Sequence, residues 1–189
     1  MSLPYRKLDI ELIPEECLDE IKTLEKYNLF TTLHKKYDNF KLSEQYRYAS
    51  IYGVESMLIQ NPPYYGLNIS DVQWTQASKH TPKLVEWIKH NIKSPFYRIH
   101  VLRMEPGGYI TPHEDTPFHE EFILGAINWP AGSSIFFTEY GEVPFQKGET
   151  WVIDNGTEHG AKNESDEYRY VVQIGQMKYW EDIVKTWYS

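Results

Sequence analysis

Residues 97–115 read YRIHVLRMEPGGYITPHED, an alternating segment followed by a turn and a second short segment. The side chains of Tyr97–Met104 alternate in polarity, which is typical of a strand with one buried face. Glu105-Pro106-Gly107-Gly108 has the composition of a turn, and Tyr109–Thr111 continues the chain towards His113. This stretch therefore predicts two strands joined by a turn.

More short extended segments follow, and Gly, Pro or Asn turns separate each from the next. They are Phe122–Trp129, Ser134–Thr138, Val143–Phe145, Thr150–Ile153, Glu158–Lys162 and Tyr168–Ile174. Short strands at this close spacing predict a β-barrel or a two-sheet sandwich. No helix-length segment separates the strands, which disfavours a parallel sheet of βαβ units.

The first 95 residues have a different pattern. From 14 to 28, apolar side chains recur at spacings of three and four, which predicts a helix with one buried stripe. A second helix is predicted over Thr81–Ile92, where Thr81 is a suitable N-cap and Pro82 suits the first helical position. A strand within Tyr46–Val54 and a loop at Asn61–Pro63 are expected between the helices.

These patterns predict one mainly β domain over residues 1–189. Its expected parts are mixed helical support in 1–95, a β core in 96–177 and one amphipathic C-terminal helix, Tyr179–Tyr188, within 178–189.

Composition limits the class of protein. The chain has 189 residues, of which 41% are hydrophobic and 15% aromatic, which is enough for a sizeable core. The formal net charge of −8 disfavours a nucleic-acid partner, because affinity for phosphates depends on Lys and Arg. Cys17 is the only cysteine, so no intrachain disulfide can form, and no apolar run has membrane-spanning length. We therefore expect a cytoplasmic protein without a membrane partner.

His113, Asp115 and His159 form a candidate metal site. On a strand, His113 and Asp115 would lie on one face, and a rolled antiparallel barrel can bring His159 opposite them. Two imidazoles and one carboxylate on one face of an ion are the ligand set of non-haem Fe(II) oxygenases. The alternative is a chance H-x-D in a surface turn, since the chain contains seven histidines.

Arg169 follows His159 by ten residues, on a strand where it shares a face with Val171. A guanidinium that points into a barrel needs a partner to offset the loss of water. A dicarboxylate co-substrate would supply one, as would a structural ion pair with an internal Asp or Glu. Arg98 and His100 also share a face, and that face lines either the pocket or the barrel exterior. His119 is expected in a solvated loop.

Two stretches resemble the 2-oxoglutarate- and Fe(II)-dependent oxygenases with a double-stranded β-helix, and within them the aspartyl/asparaginyl β-hydroxylases. Residues 97–115 resemble the strand, Pro-Gly turn and metal motif of that family. Residues 147–169, KGETWVIDNGTEHGAKNESDEYR, resemble its second half. The matching positions there are Gly148, Glu149, Trp151, His159, Asn163 and Arg169. The resemblance covers about 96–177.

The resemblance implies a jelly-roll or cupin-like double-stranded β-helix with N-terminal supporting helices. His113, Asp115 and His159 would bind Fe(II) as catalytic ligands, and Arg169 would bind the far carboxylate of 2-oxoglutarate, with O₂ as the second co-substrate. Met104 matches a position that lines the co-substrate pocket. The family often has an Arg-x-His pair after H-x-D, which this chain lacks. Either Asn128, Arg98, His100 or Arg103 replaces its contacts, with Asn128 the predicted cofactor residue, or the pocket is different.

The activity implied is hydroxylation of a C–H bond in an amino acid or a peptidyl residue, with release of succinate and CO₂. The expected partner is a small-molecule amino acid or a peptide or protein substrate. A second resemblance, of Gly107–His113 and Gly148–Asn163, is to the two cupin motifs. It leaves three alternatives: a cupin-like metal-binding protein, a sugar isomerase or epimerase, and a non-catalytic binding module.

Overall fold

The computed structural model describes residues 2–32, 46–53, 72–115 and 121–179. The predicted loop at Asn61–Pro63, the loop around His119 and the C-terminal helix beyond Tyr179 lie outside these residues. Within the described ranges, no helix combines the length and the apolar character needed to cross a membrane.

The described residues form two antiparallel sheets and two α-helices. The helices are α1 (Glu16–Lys26) and α2 (Pro82–Asn91), and a 3₁₀ turn precedes α2 at Ala77–His80. The first strands are β1 (Tyr5–Lys7), β2 (Thr31–Thr32), β3 (Tyr46–Gly53), β4 (Gln73–Trp74), β5 (Phe96–Met104) and β6 (Tyr109–His113). The others are β7 (Glu121–Ala126), β8 (Ser133–Phe137), β9 (Gly141–Glu142), β10 (Thr150–Asp154), β11 (His159–Asn163) and β12 (Arg169–Gln176). A second 3₁₀ turn follows at Met177–Tyr179.

The large sheet has the order β1-β10-β7-β12-β5-β3-β2, with β4 paired to β3, and the small sheet has the order β6-β11-β8-β9. Every pair in both sheets is antiparallel. The predicted double-stranded β-helix with helical support is therefore confirmed. The N-terminal segment also adds strands to the core, because β1 pairs with β10 and β3 pairs with β5.

Two apolar clusters hold these layers together. The inner cluster fills the space between the sheets, where Leu124 and Ile153 of the large sheet meet Ile135 and Phe137 of the small sheet. The outer cluster lies between the back of the large sheet and the helices. Burial of these apolar surfaces is the main force that joins the sheets to each other and to the helices.

The helices confirm the predicted periodicity. Cys17, Ile21 and Leu24 form the buried stripe of α1. Thr81 precedes α2 as predicted but does not cap it, since its hydroxyl donates instead to the carbonyl of Ala77. The carboxylate of Glu20 in α1 accepts from the backbone N–H groups of residues 83 and 84, at 2.9 and 3.1 Å. A side chain of one helix thus satisfies the free N–H groups at the start of the other.

Two residues of the sequence motif, Asn163 and Glu149, stabilise turns. The Asn163 side-chain amide, fully buried, donates to the carbonyls of Met104, Glu105 and Glu167 and so fixes the Pro-Gly turn after β5. Glu149 accepts from the Trp151 indole N–H at 3.2 Å and pairs with Lys7. Asn163, Glu149 and Trp151 of the motif thus have structural roles in the fold.

The predicted strand Val143–Phe145 is wrong. The small sheet ends in β9, two residues earlier, and the chain then turns so that the Phe145 N–H donates to the Val143 carbonyl at 2.8 Å. Pro144 lies between them and has no N–H to extend a strand ladder. Val143 and Phe145 are nevertheless buried in the inner cluster.

Candidate metal centre and its cavity

His113, Asp115 and His159 come together at one end of the small sheet. Each offers a ligand atom, and the three atoms lie within 4.8 Å of one another. His113 ends β6 and pairs directly with His159 at the start of β11, with ring centroids 4.6 Å apart. The two histidines are therefore neighbours within one sheet, whereas the sequence placed His159 on the opposite wall. Asp115 lies beyond the end of β6, and its Oδ1 is 3.3 Å from His113 Nε2.

Both histidines are held in the same orientation by the backbone. Nδ1 of His113 is 2.9 Å from the carbonyl oxygen of Thr111, and Nδ1 of His159 is 2.9 Å from that of Thr157. A carbonyl oxygen can only accept, so each Nδ1 carries a hydrogen, and Nε2 is the nitrogen of each ring that is left to bind a metal. Such a hydrogen bond on the far nitrogen is the usual support of a metal-binding imidazole.

Asn155 supports Asp115, and the sequence analysis treated Asn155 only as part of a turn. Its side-chain amide donates to Asp115 Oδ2 at 3.0 Å, and its carbonyl accepts from the Asp115 N–H at 3.0 Å. Asn155 is 3% exposed and lies in the turn between β10 and β11. The available signal was a polar side chain four residues before a predicted metal ligand.

The three groups shift one another's pKa. Burial lowers the pKa of His113, but the hydrogen bond and the charge of Asp115 outweigh it and raise the value. Burial raises the pKa of Asp115, yet the hydrogen bond from His113 and the charges of both histidines lower it overall. Burial lowers the pKa of His159, against the attraction of Asp115. Asp115 is therefore ionised at neutral pH.

The donor set fits Fe(II). Two imidazole nitrogens and one carboxylate oxygen, all from one end of the barrel, form the mixed N/O set of the non-haem iron oxygenases. Asp115 is already ionised, and a metal that binds here would displace the proton that His113 Nε2 shares with Asp115.

Arg169 lies at the start of β12, on the cavity face as predicted and 4% exposed. One of its guanidinium nitrogens donates to the carbonyls of Ser134 at 2.9 Å and Lys162 at 3.1 Å. Its Cζ atom lies 5.3 Å from the centre of the Trp129 ring. Burial lowers the pKa of Arg169 to about 10, so it stays charged. In the part of the chain that the structure describes, no carboxylate forms an ion pair with it.

One cavity connects the three candidate ligands to Arg169. It encloses about 620 Å³ when its open mouth is included. Strand register places Tyr46, Met104 and Arg169 in one row across the large sheet, and all three line the cavity. The other walls are largely apolar, with Leu102, Ile110, Phe122, Leu124, Ile135, Ile153 and Val171. Strand pairing between β3 and β5 is what brings Tyr46 to this row.

The four residues expected to replace the Arg-x-His pair are not among the cavity-lining residues. Both ends of the Asn128 amide bind backbone groups at the start of β12. The amide oxygen accepts from the Tyr170 N–H at 2.7 Å, and the amide nitrogen donates to the carbonyl of Tyr168, just before β12, at 2.8 Å. Arg103 packs on the outer face of the large sheet and pairs with glutamates at 2.7 and 2.5 Å. Arg98 and His100 are on the inner face, where the guanidinium of Arg98 covers the Phe122 ring at 4.6 Å. Arg98 and His100 therefore point into the barrel, but they do not line the cavity.

A family model described as aspartyl/asparaginyl β-hydroxylase matches residues 18–178. The chain belongs to this family. The aspartyl/asparaginyl β-hydroxylase-like chain is accordingly an enzyme, a 2-oxoglutarate-dependent hydroxylase, as its sequence motifs implied. A comparison with curated protein sequences gives no match.

Solved structures of hydroxylases share the fold of this aspartyl/asparaginyl β-hydroxylase-like chain. A prolyl hydroxylase of Trichoplax adhaerens, solved with a hypoxia inducible factor peptide, is 12% identical with a TM-score of 0.59, covering 96% of this chain and 86% of that one. The viral collagen prolyl hydroxylase of Paramecium Bursaria Chlorella virus-1, solved with 2-oxoglutarate, is 15% identical with a TM-score of 0.53, covering 92% and 96%. A prolyl-4-hydroxylase of Pseudomonas putida is 11% identical with a TM-score of 0.53, covering 93% of each chain. At these identities the likeness is one of fold.

Proposed function

We propose that the protein hydroxylates a C–H bond of an amino acid or a peptidyl residue, with release of succinate and CO₂. In this proposal, His113, Asp115 and His159 hold Fe(II), and Arg169 holds the far carboxylate of 2-oxoglutarate. The observation that carries it is a buried Arg169, without a carboxylate partner among the described residues, in the same cavity as the three ligand atoms. A buried cation without a counter-charge is costly, and a dicarboxylate would offset that cost.

Fe(II), when bound, supplies the activation of O₂ and the oxidation of the C–H bond. The chain's own residues position the reactants. The Thr111 and Thr157 carbonyls keep the Nε2 atoms of both histidines turned towards the metal position. Asn155 keeps the carboxylate of Asp115 in place.

At the end of the cavity away from the metal position, the charge and the fixed orientation of Arg169 suit a carboxylate. Arg169 is held against Trp129 and by two carbonyls, so its fork is already oriented before a carboxylate arrives. Tyr46 lies in the same row, on the other side of Met104. Burial raises the pKa of Tyr46, and the charge of Arg169 opposes this only partly, so the Tyr46 hydroxyl remains a neutral donor. The apolar walls exclude water from the space between them.

The substrate class rests on the family, whose description names aspartyl and asparaginyl residues. A fold neighbour from Trichoplax adhaerens was solved with a peptide, which supports an extended peptide as one form of substrate. Free amino acids are the second form. The charged Arg169 in the cavity favours an anionic co-substrate over the sugar of a cupin isomerase, and family membership favours an enzyme over a non-catalytic module.

Binding of metal and co-substrate can be tested separately. Anaerobic addition of Fe(II) and 2-oxoglutarate should give the weak visible charge-transfer band of this class, and His113→Ala should abolish it. Arg169→Ala should weaken 2-oxoglutarate binding at least tenfold while leaving metal affinity unchanged, because Arg169 lies at the far end of the cavity. A wild-type protein without the band would refute the proposal, and an Arg169→Ala variant with normal 2-oxoglutarate affinity would refute the role of Arg169.

Turnover identifies the substrate class. Succinate release is measured with free amino acids and with short peptides that contain Asp, Asn or Pro. Stimulation by one group above the uncoupled rate assigns that group. A wild-type protein that binds both metal and 2-oxoglutarate but shows no stimulation by any of them would refute the proposed substrate class.

A further inference from the structure

We infer that Asn155 is a positioning residue that makes Asp115 present a single oxygen, Oδ1, to the metal. This inference rests on the proposed role of His113, Asp115 and His159. It concerns how the carboxylate binds, because a carboxylate can hold a metal through one oxygen or through both. The number of oxygens it uses determines how many positions remain for co-substrate and O₂.

The two oxygens of Asp115 have different surroundings. Oδ1 lies 3.3 Å from His113 Nε2, on the side where the other ligand atoms converge. Oδ2 accepts a hydrogen bond from the Asn155 amide at 3.0 Å. A donor on Oδ2 stabilises the negative charge there and opposes rotation of the carboxylate, so Oδ1 remains the oxygen that faces the other candidate ligands.

The orientation of the Asn155 amide is fixed by its neighbour. A flipped amide would place its oxygen against the carboxylate oxygen, which repels it, so the nitrogen must face Asp115. The amide oxygen of Asn155 is buried and has no hydrogen-bond partner in the described ranges. A buried acceptor left unsatisfied destabilises the folded protein. A side chain used only for packing at this site would not carry that cost, which argues for a specific role of the donor end.

Asp115 depends on this contact for its position. It lies two residues past the end of β6, so strand pairing does not hold it. The contacts that fix it among the described residues are the side-chain and backbone hydrogen bonds to Asn155 and the contact with His113.

The turn that carries Asn155 is itself rigid. Asp154 accepts from the Gly156 N–H at 3.0 Å and from the Thr157 hydroxyl at 3.2 Å. The Thr157 carbonyl then receives the Nδ1 hydrogen of His159. One four-residue turn thus supports two of the three candidate ligands, and Asn155 is the member whose side chain reaches a ligand directly.

The experiment is a Co(II) titration of the metal-free protein, followed by visible absorption. Co(II) takes N/O sites of this kind, and its absorption weakens as its coordination number rises. The variants are Asn155→Leu, which keeps the volume but removes the donor, and Asp115→Ala, which removes the ligand. Asn91→Leu is the matched control, because Asn91 makes two backbone hydrogen bonds far from the cavity, in and beside α2. Thermal unfolding of each metal-free variant measures folding separately.

We expect Asn155→Leu to lower Co(II) affinity by about 10–100-fold and to weaken the absorption per bound ion, as Asp115 begins to use both oxygens. Asn91→Leu should lower only the unfolding temperature. If Asn155→Leu does not fold, Asn155→Ala replaces it with the same expected results.

Three outcomes would overturn the inference or its basis. If Asp115→Ala binds Co(II) like the wild type, the proposed metal site itself is wrong. If Asp115→Ala loses Co(II) but the Asn155 variants bind it normally, only the positioning role is wrong. If the Asn155 variants lose affinity with unchanged absorption per bound ion, Asn155 does not control the number of oxygens.

Discussion

His100 makes the stability of this protein depend on pH in a defined window. It is 7% exposed on the inner face of β5, and its ring lies 4.9 Å from that of Tyr48. Burial, with the nearby charge of Arg98, lowers the pKa of His100 from 6.5 to about 3. The folded state therefore holds a neutral imidazole at pH values where the unfolded chain already binds a proton.

The sign and the size follow from proton linkage. The folded pKa is depressed, so the full stability is present above pH 6.5 and is lost as the pH falls towards 3. Each pH unit inside that window costs about 1.4 kcal/mol. Between pH 8 and pH 5, His100 alone should thus remove about 2 kcal/mol from the free energy of unfolding.

The assay compares wild type with His100→Gln, which cannot titrate. Denaturant unfolding of the metal-free proteins at pH 8, 6.5 and 5 gives the free energy of unfolding for each. The wild type should lose about 2 kcal/mol more than the variant over this range, whatever the variant costs at pH 8. Equal losses in the two proteins would refute the reasoning, because they would mean that the folded state accommodates a protonated His100.

Other perturbations test the core and the helix contacts. Gly160→Ala should destabilise the protein by about 1–3 kcal/mol in thermal unfolding, because its new Cβ would lie 2.9 Å from the Ile110 carbonyl oxygen; a neutral result would contradict this close approach. Cys17 should resist alkylation at pH 8 until the protein is unfolded, since burial raises the pKa of its thiol to about 12; rapid native-state labelling would be inconsistent with that burial. Arg103→Leu should cost about 1–3 kcal/mol in denaturant unfolding by leaving Glu25 without its cation, whereas unchanged stability would show that water replaces the pair.

Strand alternation explains why part of the site was predictable. Side chains on a strand alternate strictly, so Arg169 had to share the inward face with Val171 once that strand was recognised. The two-residue spacing of His113 and Asp115, with the later His159, likewise predicted one candidate metal site, and the three side chains do come together. Their direct pairing was not predictable, because strand order in a rolled barrel depends on tertiary contacts rather than on local pattern.

Asn155, Tyr46 and Asn128 were missed or misplaced for one of two reasons. Asn155 and Asn128 lie outside the regular strands, and Tyr46 is far in sequence from the other residues of the site. The direction of the Asn155 side chain depends on the geometry of a turn, which no periodicity encodes. Tyr46 reaches the cavity only because β3 pairs with β5. Asn128 lies past the end of β7, where the chain has left the strand, and its amide binds backbone rather than lining the cavity.

The position of β12 has a consequence for how the chain is made. It is the last strand of the described chain, yet it lies in the middle of the large sheet, between β7 and β5. During synthesis, those two strands therefore wait with unpaired edges until β12 leaves the ribosome, and unpaired edges are where chains aggregate. Arg169 opens that same strand. If Arg169 has the proposed role, closure of the sheet and completion of the co-substrate site are therefore one late event.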